Sequence, residues 1–154
     1  MAGGRKEARQ WALQMLYQLD INPTELTELF DVFFVEKKYA NRDRAFAEKT
    51  VRGVLKNLEA IDKKVEEFTP KWDMSRLGGV DRNVLRIAAY EMIYCDDIPP
   101  VVSINEAVQN AKDYSGMESG KFVNGVLDEL RKTLNRPARS TYKTAEERMK
   151  EQGD

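Results

Sequence analysis

The sequence predicts an all-α fold, a single-domain bundle of about seven helices arranged as two antiparallel halves. Apolar residues recur at spacings of three and four through every long segment, and no alternating strand of useful length interrupts them. All five prolines, at 23, 70, 99, 100 and 137, fall between these periodic runs, where a missing N–H breaks no helix. A chain of 154 residues, 42% hydrophobic, suffices for one domain with a real core and leaves little room for two. The expected division is a helical domain over 1–136 and a polar C-terminal tail over 137–154.

Taking the elements in order, Trp11, Ala12, Met15, Leu16 and Leu19 define a first helix from about Arg5 to Asp20. A break at Asn22-Pro23 follows, with Thr24 as the expected cap of a second helix whose aromatic face carries Leu26, Leu29, Phe30, Phe33 and Phe34. The polar stretch 37–42 ends it. One long third helix is predicted from Phe46 through Val51, Val54, Leu55, Leu58, Ile61, Val65 and Phe68 to Pro70. Residues 70–79 suit a single helical turn, with Gly78-Gly79 as a hinge into the next helix. That helix carries Val80, Val84, Leu85, Ile87, Ala88 and Met92, with Asp81 in its first turn where the helix dipole favours a carboxylate. Ser103 and Glu106 have capping-box spacing ahead of Ile104, Ala107, Val108 and Ala111. Gly116 is the predicted stop, and Phe122, Val123, Val126, Leu127, Leu130 and Leu134 define the last helix. Gly125 lies inside it, where glycine costs ~1 kcal/mol against alanine, so a close approach by a neighbour is expected there.

The formal charge of −1 conceals an arrangement in which both ends are basic and the body acidic. With no histidine and a single cysteine, Cys95, the chain lacks the parts of metal clusters and of Ser-His or Cys-His nucleophile systems. No Gly-rich phosphate loop follows a strand. No catalytic residue, metal or cofactor is therefore expected. The lone cysteine permits no internal disulfide, and no apolar run is long enough for a membrane span, so a cytoplasmic location is expected. Binding chemistry fares better. Arg5, Lys6 and Arg9 begin the first helix, and Tyr17 lies two turns beyond Arg9 on roughly the same face. Cations that track phosphates beside an aromatic ring that stacks on bases suit single-stranded RNA. The same residues also fit a solvated basic helix start and a partly buried core tyrosine. Lys121, Phe122 and Asn124 pose the same choice between a binding strip and a core phenylalanine flanked by exposed polar groups.

SINEAVQNAKDYSG followed by KFVNGVLDEL, with ARQWALQMLYQLD near the start, VDRNVLRIAAYEM in the middle and IPPVVSINEA between, resembles the NusB family of bacterial transcription antitermination factors. The resemblance covers residues 5–134 and is specific through four blocks in one order. It implies the same all-helical fold. It also implies binding to the boxA element of nascent ribosomal RNA together with NusE, a protein that also serves in the small ribosomal subunit, and entry into the antitermination complex on RNA polymerase. Carried over by matching blocks, Arg5, Lys6, Arg9 and Tyr17 fall in a basic N-terminal RNA region. Lys121, Phe122 and Asn124 fall at a second RNA region. Asp81, Arg86, Tyr114 and Glu118 fall on the face expected to meet NusE or the adjacent RNA. Gly3, Gly4 and Glu7 dilute the basic cluster that family members carry, which implies weak RNA affinity for the isolated chain. The alternative reading is a purely protein-binding helical module, monomeric or homodimeric, in which the basic ends are incidental.

Overall fold

Seven α-helices and one 3-10 turn make up the computed structural model, which describes residues 4–69 and 71–134; the predicted tail lies outside them. The helices are α1 (Gly4–Ile21), α2 (Leu26–Phe34), α3 (Asn41–Lys56), α4 (Leu58–Glu66), α5 (Gly79–Tyr94), α6 (Pro100–Tyr114) and α7 (Met117–Lys132), with the 3-10 turn at Met74–Arg76. No strand occurs among the described residues. The first half packs α1 on α3, and the second packs α6 on α7 across a two-residue connection, which makes those two helices antiparallel neighbours. Between the halves runs α5, in contact with α1, α3, α4, α6 and α7.

That central position explains why α5 is buried from Asn83 to Met92 without a solvent face. Its apolar residues join one core with Trp11, Leu13 and Met15 of α1, Val51 and Val54 of α3, Ile61 and Val65 of α4, and Val123, Leu127 and Leu130 of α7. Its polar residues Asn83, Arg86 and Glu91 are carried inside with them and must find partners there. The aromatic face of α2 is core as expected. Phe34 packs edge to face against Trp11 at 5.3 Å and against Phe33 at 5.1 Å.

Several expected boundaries are corrected. The long third helix is two helices, α3 and α4, broken at Asn57, whose backbone leaves the helical region at φ −110° and ψ 19°. Its side-chain amide donates to the Gly53 carbonyl at 2.9 Å, a local bond that competes with helix continuation. The cap of α2 is Glu25, not Thr24, because the Glu25 carboxylate accepts from the backbone N–H groups of Thr27 and Glu28, both at 3.0 Å. Ser103 caps nothing. Helix α6 starts earlier, at Pro100, where the missing N–H costs nothing, and Ser103 sits buried inside it. Gly116 does end α6 and introduce α7, at a φ of 148° that a side chain would resist.

The close approach expected at Gly125 is not made by any described neighbouring helix of this chain. The residue is exposed, and a Cβ built there meets nothing within 4 Å. With no steric cost in the chain, Gly125→Ala is expected to stabilise the protein by up to ~1 kcal/mol through helix propensity. A lower urea midpoint for this variant would contradict the open site.

Candidate functional site

Helix α1 contributes residues at both ends. At its start the Gly4 N–H donates to the Asp43 carboxylate at 3.0 Å, which ties α1 to the beginning of α3. Arg5 is exposed, lies over the Phe46 ring at 4.8 Å and pairs loosely with Asp97 at 3.6 Å. Lys6 is exposed beside it. Arg9 points inward and is 5% exposed. Its guanidinium donates through Nε to Glu91 at 2.7 Å and through Nη2 to the other carboxylate oxygen at 3.1 Å. The Ser103 hydroxyl donates to the same carboxylate at 2.7 Å, so Arg9, Glu91 and Ser103 form a closed polar lock between α1, α5 and α6. Arg9 is therefore corrected from a surface contact to a structural group, because a buried carboxylate on the central helix claims it.

Toward the other end of α1 a continuous exposed face forms. Tyr17 is 43% exposed, and its ring rests on Gly79 at the start of α5. A Cβ on Gly79 would come within 2.6 Å of Tyr17 Cε2, so this glycine is a seat for the ring rather than a free hinge. Two residues on, Asp81 is half-buried and accepts a hydrogen bond from the Ser119 hydroxyl, joining the start of α5 to the first turn of α7. Tyr114, 41% exposed at the end of α6, accepts from the Gln14 side-chain amide at 2.8 Å. Gln14 lies one turn before Tyr17 on α1. Met117 is 62% exposed, and Glu118 pairs with Lys121 at 3.5 Å on the adjoining surface. Asn124 is exposed, and Phe122 is partly buried against the core.

Arg86 is absent from this face. It is buried and bidentate to Asp62, with Nε and Nη2 each 2.9 Å from a carboxylate oxygen, and it reaches Asp20 at 3.4 Å and the Asn83 side-chain oxygen at 3.2 Å. Arg82 adds two bonds to Asp20, at 3.1 and 2.9 Å. Arg86 thus anchors the end of α1 to α4 and α5 and supports the Tyr17 face from behind. Burial pushes the Asp20 carboxyl up, but the Asn83 and Arg82 hydrogen bonds and the positive charges of Arg82 and Arg86 outweigh it and leave the pKa lowered.

The structure therefore brings together Tyr17, Asp81, Tyr114, Glu118 and Lys121, leaves Arg5 and Lys6 about 18 Å along α1 at 1.5 Å per residue, and withdraws Arg9 and Arg86 into the interior. Sequence reasoning missed Gln14, Gly79 and Ser119, which hold the face in shape. The Gly78-Gly79 pair was a visible signal of close approach, whereas Gln14 and Ser119 carried none. Among the described residues no group of histidine, cysteine and carboxylate side chains could hold a metal ion.

A seven-helix bundle that presents an exposed aromatic and charged face defines an all-α binding protein. Comparison narrows the class. Residues 6–132 match the NusB family model. The transcription antitermination protein NusB of Desulfotalea psychrophila is 47% identical over 136 residues, spanning 84% of this chain and 96% of that protein. The NusB of Pelotomaculum thermopropionicum is 45% identical over 130 residues, spanning 82% and 88%. Among solved structures, T. maritima NusB superimposes with a TM-score of 0.78 at 36% identity, covering 88% of this chain and 96% of that one. A chain from a crystal structure of antitermination factors NusB and NusE in complex with dsRNA superimposes with a TM-score of 0.77 at 33% identity, covering 84% and 97%. The chain belongs to the NusB family of bacterial transcription antitermination factors. It is a non-catalytic protein. No described helix is long and apolar enough to cross a membrane.

Proposed function

We propose that this chain binds boxA-type single-stranded RNA in nascent ribosomal RNA transcripts together with NusE, and in the cytoplasm joins the antitermination complex on RNA polymerase. The observation that carries the reading is the exposed Tyr17 ring seated on Gly79 within a face that also holds Tyr114, Met117 and Glu118. An exposed ring with a fixed support stacks on unpaired bases, and the neighbouring tyrosine and methionine suit a protein partner. The relative solved with NusE and dsRNA supports a shared role for protein and RNA. Arg5, Lys6 and Lys121 supply the phosphate contacts, Phe122 and Asn124 border the second RNA region, and Asp81, Tyr114 and Glu118 meet NusE or the RNA beside it. Because the acidic body opposes RNA, NusE is needed to strengthen binding.

Fluorescence anisotropy with a boxA oligonucleotide, with and without NusE, tests this. The Arg5→Ala, Lys6→Ala double variant is expected to reduce the slope of log affinity against log salt by roughly 1.4, about 0.7 per lost contact on single strands. Tyr17→Ala is expected to lose ~1–3 kcal/mol with that slope unchanged. Equal affinity for a duplex of the same sequence would overturn the single-strand assignment. NusE binding without any RNA binding would leave the purely protein-binding module.

A further inference from the structure

The outward face of α3 carries Arg42, Ala45, Lys49, Arg52 and Lys56, at offsets of three, seven, ten and fourteen residues from the first. These offsets fall within a single stripe of an α-helix, about 21 Å long at 1.5 Å per residue. All five are exposed, and four are cationic in a chain whose body is acidic overall. Several surface cations are matched on their own helix, as with Lys63 and Glu59 on α4, or Lys121 with Glu118 and Arg131 with Asp128 on α7. Among the described residues no carboxylate lies within ion-pair distance of Arg42, Lys49, Arg52 or Lys56. The carboxylate beside the row, Glu48, is held by Arg44 at 2.7 Å.

An aromatic pair borders this row. A groove of about 500 Å³ is lined by Ala45, Glu48, Lys49, Arg52, Gly53, Lys56 and Tyr90. The Tyr90 ring lies across Gly53, where a Cβ would overlap the ring, so the glycine is what admits the ring to the helix surface. Tyr94 stacks on Tyr90, with centroids 6.0 Å apart and planes 28° apart, and it is 44% exposed. The row is also continuous with the start of α1, because the Phe46 ring of α3 lies beneath the guanidinium of Arg5.

We propose that this face of α3 is a second single-stranded RNA track, in which Arg42, Lys49, Arg52 and Lys56 follow the phosphates and Tyr94, backed by Tyr90, stacks on a base. Arg52 lies over the Phe30 ring at 5.0 Å, but among the described residues no member of the row is held in a close ion pair. Cations in a line with an exposed ring beside them are complementary to an unpaired polyanion whose bases are free. The track extends the RNA-binding reading and rests on it. It lets RNA that leaves the α1 start continue along α3, so it acts on transcripts longer than the boxA element and is tolerant of their sequence.

The test uses the full chain with NusE and three RNAs: a short boxA oligonucleotide, the same oligonucleotide extended at both ends, and an oligouridine of the extended length. A Lys49→Gln, Arg52→Gln, Lys56→Gln variant keeps most of the side-chain stems and is expected to lower Tm by no more than about 4 °C, through loss of the Arg52 contact with the Phe30 ring. For the extended RNA and for oligouridine its salt slope should fall by about 2, at roughly 0.7 per contact, while the short boxA oligonucleotide is unaffected. Tyr94→Ala should weaken both long RNAs by about tenfold without changing the slope. Wild-type binding that prefers boxA no more than oligouridine, but is still sensitive to the α3 variant, would remove the boxA reading and keep the track. Unchanged affinity and slope for both long RNAs in the α3 variant would overturn the track and leave the boxA reading intact. An acidic peptide that binds the wild type but not the α3 variant, and leaves binding of both long RNAs unchanged, would also overturn it.

Discussion

Glu91→Ala is expected to destabilise the protein by ~3–5 kcal/mol, because it leaves the buried Arg9 guanidinium and the Ser103 hydroxyl without their shared acceptor. For a domain of this size that lowers Tm by roughly 6–20 °C. Glu91 is 1% exposed, so no solvent rescue is available at the vacated site. The measurement is a thermal melt followed by circular dichroism. The triple variant Arg9→Met, Glu91→Leu, Ser103→Ala replaces the whole lock with apolar groups and should recover most of the loss, since a buried ion pair and a well-packed apolar pair have similar net worth. A Glu91→Ala protein within ~1 kcal/mol of wild type would show that the lock contributes little. The same logic separates Arg9 from Arg5. Arg9→Ala should lower Tm and leave the salt slope of RNA binding unchanged in the folded fraction, whereas Arg5→Ala should do the reverse.

Arg86→Ala is expected to cost about 3 kcal/mol, the lower end for breaking a buried pair, because Asp62 and Asp20 both retain some solvent contact. Urea denaturation reads the loss as a lower midpoint with an unchanged m-value. The effect is pH-dependent with a definite sign. The folded pKa of Asp20 is lowered from the ordinary 3.8, so its contribution is present above that value and lost as pH falls through the lower folded one. The difference between wild type and Arg86→Ala should therefore shrink below pH 3.8 and stay level above it. A difference that grows on acidification would mean that Arg86 adds nothing to what Asn83 and Arg82 do to keep the Asp20 carboxylate charged. At temperatures where the variant is folded, NusE binding should be little changed, since Arg86 lies behind the Tyr17 face and not on it.

Most of the helical architecture was legible in the chain. The runs through Trp11 to Leu19, Val80 to Met92 and Phe122 to Leu130 each gave a helix in the right place, and Gly116 marked the turn that its positive φ requires. Errors arose where two local signals competed. Leu55, Leu58 and Ile61 continue one apolar period across Asn57, yet the Asn57 side chain bonds back to Gly53 and breaks the helix. Ser103 and Glu106 satisfy capping-box spacing, yet Pro99 and Pro100 set the start one turn earlier.

The all-α class, the family and the positions of charged and aromatic residues can all be read along the chain. Which of those residues face solvent depends on how the helices pack. Arg5 and Arg9 are one helical turn apart and equivalent by periodicity, but Glu91, 82 positions away from Arg9, draws it inside and leaves Arg5 on the surface. Arg86 belongs to a block that reads as a partner face, but α5 is enclosed by five other helices, so its polar side chains are buried with its apolar ones. Periodicity reports the apolar side of a helix whose other side is wet. It is silent on a helix with no wet side, where each charge must instead be placed by the partner that packing brings to it.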